Sequence, residues 1–269
     1  MTQTFTSREA NRISIGRVRY NDIDIPSRRA PAMPVLLIGL DDTDMPGTRG
    51  TNQLAREIVR RAGTVGWRCE WIVRHQLLDD PRVPCTSKNG SASIRLAVEK
   101  LDLPSVVDLC RTTMREWFIT GSDPGLCVAS AEQVPDEVVR FGRRCQSELV
   151  DMEQPRELAR QHGLHLEGLG GTEGGVIGAL AAVGLAKEGR SGRIVQWQTW
   201  PDDLSGWESV EVLARRDVTV RNSDTGKAVR SGMVDVGKHL RPNLREHGAV
   251  LLVQPRSDVV DEYLALKRL

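Results

Sequence analysis

The chain has 269 residues, 39% of them hydrophobic and 4% aromatic, and its 37 basic and 36 acidic side chains leave a net charge of +1. That length supports one large domain or two closely packed ones, and the balance of charge excludes a global field drawing the chain to nucleic acid or a membrane. Five cysteines (Cys69, Cys85, Cys110, Cys127 and Cys145) without a Cys-x-x-Cys pair argue against a disulfide framework and a zinc site. No apolar run approaches the ~18 residues of a membrane span, so a soluble, cytoplasmic protein with no membrane contact is expected.

Residues 1–33 read as a polar extension with Pro26 and Pro31, in which 12–20 alternates weakly like an edge strand. The continuous apolar run Val35 to Leu40 then predicts a buried strand, and Leu54, Ile58 and Val59 predict the packed face of a helix over 52–61. Between them stand Asp41, Asp42, Thr43 and Asp44, followed by a loop with Pro46, Gly47, Thr48, Gly50 and Thr51. Carboxylates crowded at a strand end repel one another, and magnesium is a natural way to hold them ionised together. The loop opens a helix whose free N–H groups favour an anion, so Thr43, Gly47 and Gly50 are candidates to border a bound polyphosphate. Metal on one side and phosphate on the other is an arrangement for phosphoryl transfer. The structural alternative is that Asp and Thr serve here as turn and capping residues, and no Walker motif is present.

A strand is predicted over 68–74, and the loop 76–91 contains Pro84-Cys-Thr-Ser-Lys-Asn-Gly-Ser91, with three hydroxyls, the ammonium of Lys88, and Asn89 and Gly90. A strand over 92–98, a helix over 104–117 and a loop 121–125 before the apolar run 126–129 follow. Helices are then expected over 135–150 and 154–162. Gly168-Leu-Gly-Gly-Thr-Glu-Gly-Gly175 feeds an apolar helix over 176–184, which either offers Gly174, Gly175 and Gly178 to an anion or is a linker ahead of a tightly packed small-residue helix. Strands are expected over 193–200, 210–213, 217–222 and 249–253, a turn over 222–226, and a closing helix over 259–269. This order indicates an α/β or mixed α+β protein with a ferredoxin-like subdomain.

His162 and His165 are three apart, but Gly163 between them marks a helix end rather than a metal site. His247 before a strand is either a proton shuttle or a turn residue. Trp197, Trp200 and Trp207 offer a stacking surface or half-buried packing. Cys85 has no histidine partner to mark it as a nucleophile.

Several segments, taken together, resemble the archaeal 2-agmatinylcytidine synthetase family, which modifies a minor isoleucine tRNA. They are Gly39-Leu-Asp-Asp-Thr-Asp44 with Thr51-Asn-Gln-Leu-Ala55, Val83-Pro-Cys-Thr-Ser-Lys-Asn-Gly-Ser-Ala92 after Arg74, Asp123-Pro-Gly125, Gly175-Val-Ile-Gly-Ala-Leu-Ala-Ala-Val-Gly184, and His247-Gly248. The resemblance implies a kinase-like α/β domain over 34–190 packed with a ferredoxin-like region over 191–269. It also implies ATP and Mg2+ as cofactors, with Asp41, Asp42 and Asp44 holding the metal and the phosphates. Thr51 would match the family's autophosphorylated threonine, Lys88 and Asn89 would line the phosphate or acceptor site, and Gly174 to Gly178 would approach the nucleotide. The family's oligonucleotide-binding fold and zinc ribbon have no counterpart in this sequence. The expectation is therefore an ATP-dependent kinase or ligase acting on a small-molecule acceptor, whose activated oxygen can then leave when agmatine or another amine attacks. Two alternatives stand beside it: a tRNA-modifying enzyme working with a separate RNA-binding partner, and a nucleotide-sensing module without turnover.

Overall fold

The computed structural model describes residues 33–83, 88–198, 200–257 and 259–266. The expected edge strand at 12–20 and the segment with Cys85 lie outside them. Strand β1 (Val35–Asp41) is buried on both faces, as its unbroken apolar run requires. Leu36, Ile38 and Leu40 belong to one core with Ile58 of helix α1 (Thr51–Thr64) and Met114 of α2 (Leu103–Trp117). Leu37 belongs to the other, with Leu180 and Val183 of α5 (Val176–Glu188) and Phe141 of α3 (Asp136–Arg144). Helix α4 (Glu153–His162) contributes Ala159 to that second core and ends at Gly163, whose φ of 63° closes it. Because α5 lies between the sheet and α3, it is apolar almost all round. Leu180, Val183 and Leu185 are fully buried, and each contributes about 1.5–3 kcal/mol of burial free energy.

Among the described residues twelve strands form one sheet. From one edge the order is β5 (His165–Gly168), β4 (Gly125–Ser130), β1, β3 (Gly90–Ala97), β2 (Arg68–Gln76) and β6 (Arg193–Trp197). It continues through β10 (Asn243–Arg245), β11 (Gly248–Pro255), β12 (Glu262–Ala265), β9 (Met233–Asp235) and β7 (Trp207–Ser209), while β8 (Val218–Asn222) pairs with β11. Pairing is antiparallel except for β8 with β11 and β12 with β9. The fold is mixed α/β with a large, mostly antiparallel sheet, and the pairing of β2 with β6 carries that sheet through residue 190. Register decides what meets at one edge. Leu40 pairs with Ala92, Gln76 with Gly90, Arg74 with Arg193, and Arg193 with Asn243. The last residue of β1 and the first of β6 therefore share a sheet edge.

Three expectations are corrected. Residues 210–213 are not a strand but the start of helix α6 (Val210–Arg215), where the Ser209 hydroxyl accepts a hydrogen bond from Val212 N at 3.3 Å. Burial of Val210 and Leu213, three apart, favours that turn over extension. The closing helix is instead β12, which finds hydrogen-bonding edges on both sides, with Val253 opposite Ala265 and Met233 opposite Glu262. Tyr263 and Ala265 pack on the core while Leu264 is 43% exposed, the alternation of a strand. The helix expected over 135–150 stops at Arg144 and continues as turns, and β5 follows where no element was expected.

Candidate functional site

Asp41 is carried to the sheet edge by β1, and α5 lies directly on that strand. A Cβ placed on Gly39 would sit 1.9 Å from Ala179 O, and one on Gly178 would sit 1.8 Å from Asp41 Oδ2. Gly175 at the start of α5 donates its N–H to Asp123 O at 2.9 Å and packs on the backbone of Gly125 and Asp41. These glycines are needed because backbone meets backbone where the loop 170–175 turns into α5. Asp123 anchors the same loop, accepting from Thr172 N at 2.6 Å and from the Thr172 hydroxyl at 2.8 Å.

The carboxylates here crowd one another. Burial, then the charges of Asp42 and Asp44, push the Asp41 carboxyl up from 3.8 to about 7. Burial also raises Asp42, with Asp123 and Asp44 adding to it, and a φ of 48° turns its backbone sharply after the strand. Burial raises Asp44, against a lowering hydrogen bond from Thr51. The charged form is disfavoured in each case because carboxylates without a cation are being taken out of water.

Beside them opens a cavity of about 200 Å3, lined by Asp41, Asp42, Asp123, Glu148 and the glycines of the loop and α5, with an apolar wall that includes Leu77 and Ile177. No Lys or Arg is among its described lining residues.

The structure brings together Asp41, Asp42, Asn89, Gly174, Gly175 and Gly178 around this cavity. Asn89 is also a strap: its side-chain amide donates to Leu78 O at 2.9 Å, and its carbonyl accepts from Leu77 N at 3.0 Å. Asp44, Thr43 and Thr51 gather at the mouth of α1, with the Asp44 charge still felt by Asp41 and Asp42. The Thr43 hydroxyl donates to that of Thr51 at 3.0 Å, and both threonines are buried. Gly50 caps α1 without a side chain, and Arg49 pins this loop to α2 by stacking 4.3 Å over Trp117 and donating to its carbonyl. Gly47 is exposed with a φ of 79°, Lys88 is exposed, and Gly90 lies against the Arg74 guanidinium. His247 meets Gly189 beyond the far end of α5, ~20 Å from Gly175 by helical rise. His162 and His165 have different partners, Glu137 and Glu167. Trp197 and Trp200 stand 6.4 Å apart, and Trp207 is exposed on β7.

Asp123, Glu148 and Thr172 were not singled out as site residues from the sequence. The Asp-Pro-Gly turn before an apolar strand was the signal for Asp123; no local pattern marks the other two. Among the described residues no group of three or more His, Cys, Asp or Glu side chains converges as a metal site. Magnesium commonly takes only one or two carboxylates plus phosphate oxygens and water, and Asp41 and Asp42 meet that smaller demand. No helix among the described residues is long and apolar enough to cross a membrane.

No family model and no curated protein sequence matches this chain. Among solved structures it is similar to apo TiaS, a tRNA agmatidine synthetase, at 21% identity over 56% of this chain and 35% of that one, with a TM-score of 0.49. It is similar at 20% identity and a TM-score of 0.48 to TiaS in complex with an isoleucine tRNA, AMPCPP and agmatine, over 56% of this chain and 36% of that one. For TiaS with the tRNA and ATP the identity is 22%, the TM-score 0.47, and the coverage 56% and 36%. The chain spans about a third of the length of these structures.

Proposed function

We propose that the cavity at the end of β1 is an ATP- and magnesium-dependent phosphoryl-transfer site of the kinase or ligase type, acting on a small acceptor. The observation that carries this reading is Asp41. Its carboxyl is packed against Gly178 beside Asp42, with a pKa raised to about 7, on the wall of a cavity that Asp42 and Asp123 also line. Asp41 and Asp42 are the carboxylates to hold magnesium, which when bound neutralises charge on transferring phosphoryl oxygens. Asp123 fixes the loop 170–175 through Thr172, so that Gly174 and Gly175 present bare backbone to a polyphosphate. Lys88 precedes Asn89 of the cavity wall in sequence and is the cation assigned to the phosphates. Thr51, buried and bonded to Thr43 and Asp44, positions Asp44 and the start of α1. Glu148 and the apolar wall suit an amine on an aliphatic stem: the carboxylate would hold its ammonium and take a proton from it, the free amine would attack the carbon bearing the phosphorylated oxygen, and phosphate would leave with that oxygen.

Phosphorus NMR with ATP and magnesium, with and without agmatine and other small amines, tests this. ATP breakdown that depends on an acceptor pool and is lost in Asp41→Asn is expected. Tight ATP binding by calorimetry without breakdown under any condition would replace the enzyme with a nucleotide-sensing module.

A further inference from the structure

Along the same sheet edge, three strands from β1, a second charged cavity has the opposite sign. Arg193 opens β6, with its Cα paired to Arg74 on one side and to Asn243 on the other. Its Nε is buried and has no hydrogen-bond partner. Beside it lies a cavity of about 250 Å3 with Arg193, Lys238, His239 and Arg241 on its polar side and Val236 and Leu251 on its apolar side. No acidic residue is among its described lining residues.

The counter-ions nearby are unevenly shared. Asp202 takes both guanidinium nitrogens of Arg241 at 2.6 and 2.7 Å, together with Arg56 at 3.3 Å and His239 Nδ1 at 3.7 Å. Arg193 and Lys238 have no carboxylate partner among the described residues. Burial, then the charges of Arg74 and Arg241, lower the pKa of Arg193. A half-buried guanidinium facing two others costs folding free energy unless something of opposite charge meets it. A fixed fork of donors next to a mobile ammonium and an imidazole matches an oxyanion carrying several oxygens and more than one charge.

We propose that this cavity is a binding site for a small phosphorylated ligand, with its phosphate on Arg193 and Lys238 and a short apolar body against Val236 and Leu251. The site shares no lining residue with the acidic cavity and does not depend on the phosphoryl-transfer reading.

The test uses the full chain and two probes, inorganic phosphate and citrate, in calorimetry and thermal unfolding without ATP. Phosphate is expected to bind and to raise the melting temperature, and to do so equally in Asp41→Asn, which separates this site from the acidic one. Arg193→Gln and Lys238→Ala are each expected to weaken phosphate binding at least ~10-fold. Arg193→Gln without phosphate is expected to be no less stable than the wild type, since it removes an unpaired charge. If Arg193→Gln fails to fold, the exposed Lys238→Ala decides alone. Tighter binding of citrate than of phosphate would overturn the phosphate assignment. Equal phosphate affinity in Lys238→Ala, no phosphate binding by the wild type, or binding of RNA oligonucleotides without binding of free phosphate would each overturn the proposal.

Discussion

The two ends of one sheet edge carry opposite charge by different means. At β1 the acids are held by backbone contact: Gly178 leaves room for the Asp41 carboxylate, and Gly175 locks the loop 170–175 onto Asp123. At β6 the bases are held by strand register, which sets Arg193 beside Arg74 and near Arg241. In the first place burial drives carboxyls toward their neutral form, and in the second it works against a guanidinium. A net charge of +1 hides this separation completely. Total charge therefore says nothing about which ligands a sheet edge can attract; spatial sorting does.

The backbone contact at the acidic end can be broken most severely at Gly125. An added Cβ there would lie 2.1 Å from the Gly175 carbonyl, and neither backbone can yield. Gly125→Ala should cost roughly 3 kcal/mol or more, read as a lowered denaturation midpoint. Gly178→Ala meets only the movable Asp41 carboxylate, so it should keep the fold while weakening magnesium and ATP binding in calorimetry. An undisturbed midpoint in Gly125→Ala would remove the argument that this loop is locked on the strand.

The next largest effect sharpens the electrostatics. With the Asp41 carboxyl at about 7 in the folded protein against 3.8 ordinarily, the folded state binds that proton more tightly than the unfolded chain does. Its contribution to stability is full below pH 3.8 and is lost as pH rises toward 7. Metal-free Asp41→Asn should flatten this part of the stability-against-pH curve and be more stable than the wild type at pH 8. Magnesium competes with the same proton, so its affinity for the wild type should rise through pH 7. A pH profile identical in wild type and variant would show that Asp41 titrates normally.

Smaller effects follow in the hydrogen bonds. Asp123→Asn weakens the two bonds from Thr172, at a cost of about 1–2 kcal/mol, with faster amide exchange expected across 170–175. Thr51→Val removes the hydroxyl between Thr43 and Asp44, at a cost of about 1 kcal/mol. Chemical denaturation should detect it, along with a further upward shift of Asp44.

Much of the acidic site was legible in the chain. An apolar run ending in Asp41 and Asp42 announces a buried strand delivering carboxylates to its tip, and a glycine-rich stretch before an unbroken apolar helix announces close backbone packing. What was not legible was which acids meet. Asp44 stays near Asp42 in space as it does in sequence while bonding Thr51, whereas Asp123 comes from 81 positions away to stand beside Asp42. Glu148 and Thr172 sit in turns without a periodic signal.

By itself the sequence determined the elements whose pattern is local: the double-sided apolar strand β1, the amphipathic α1 and α2, the glycine that ends α4, and the small-residue helix α5. Only the tertiary structure decided that residues 210–213 coil and 262–265 extend, because short apolar segments take the conformation their neighbours' hydrogen bonds leave open. It alone set Arg193 beside Arg74 and Asp42 beside Asp123. Charge interactions depend on distance in space, and strand register over long separations sets that distance.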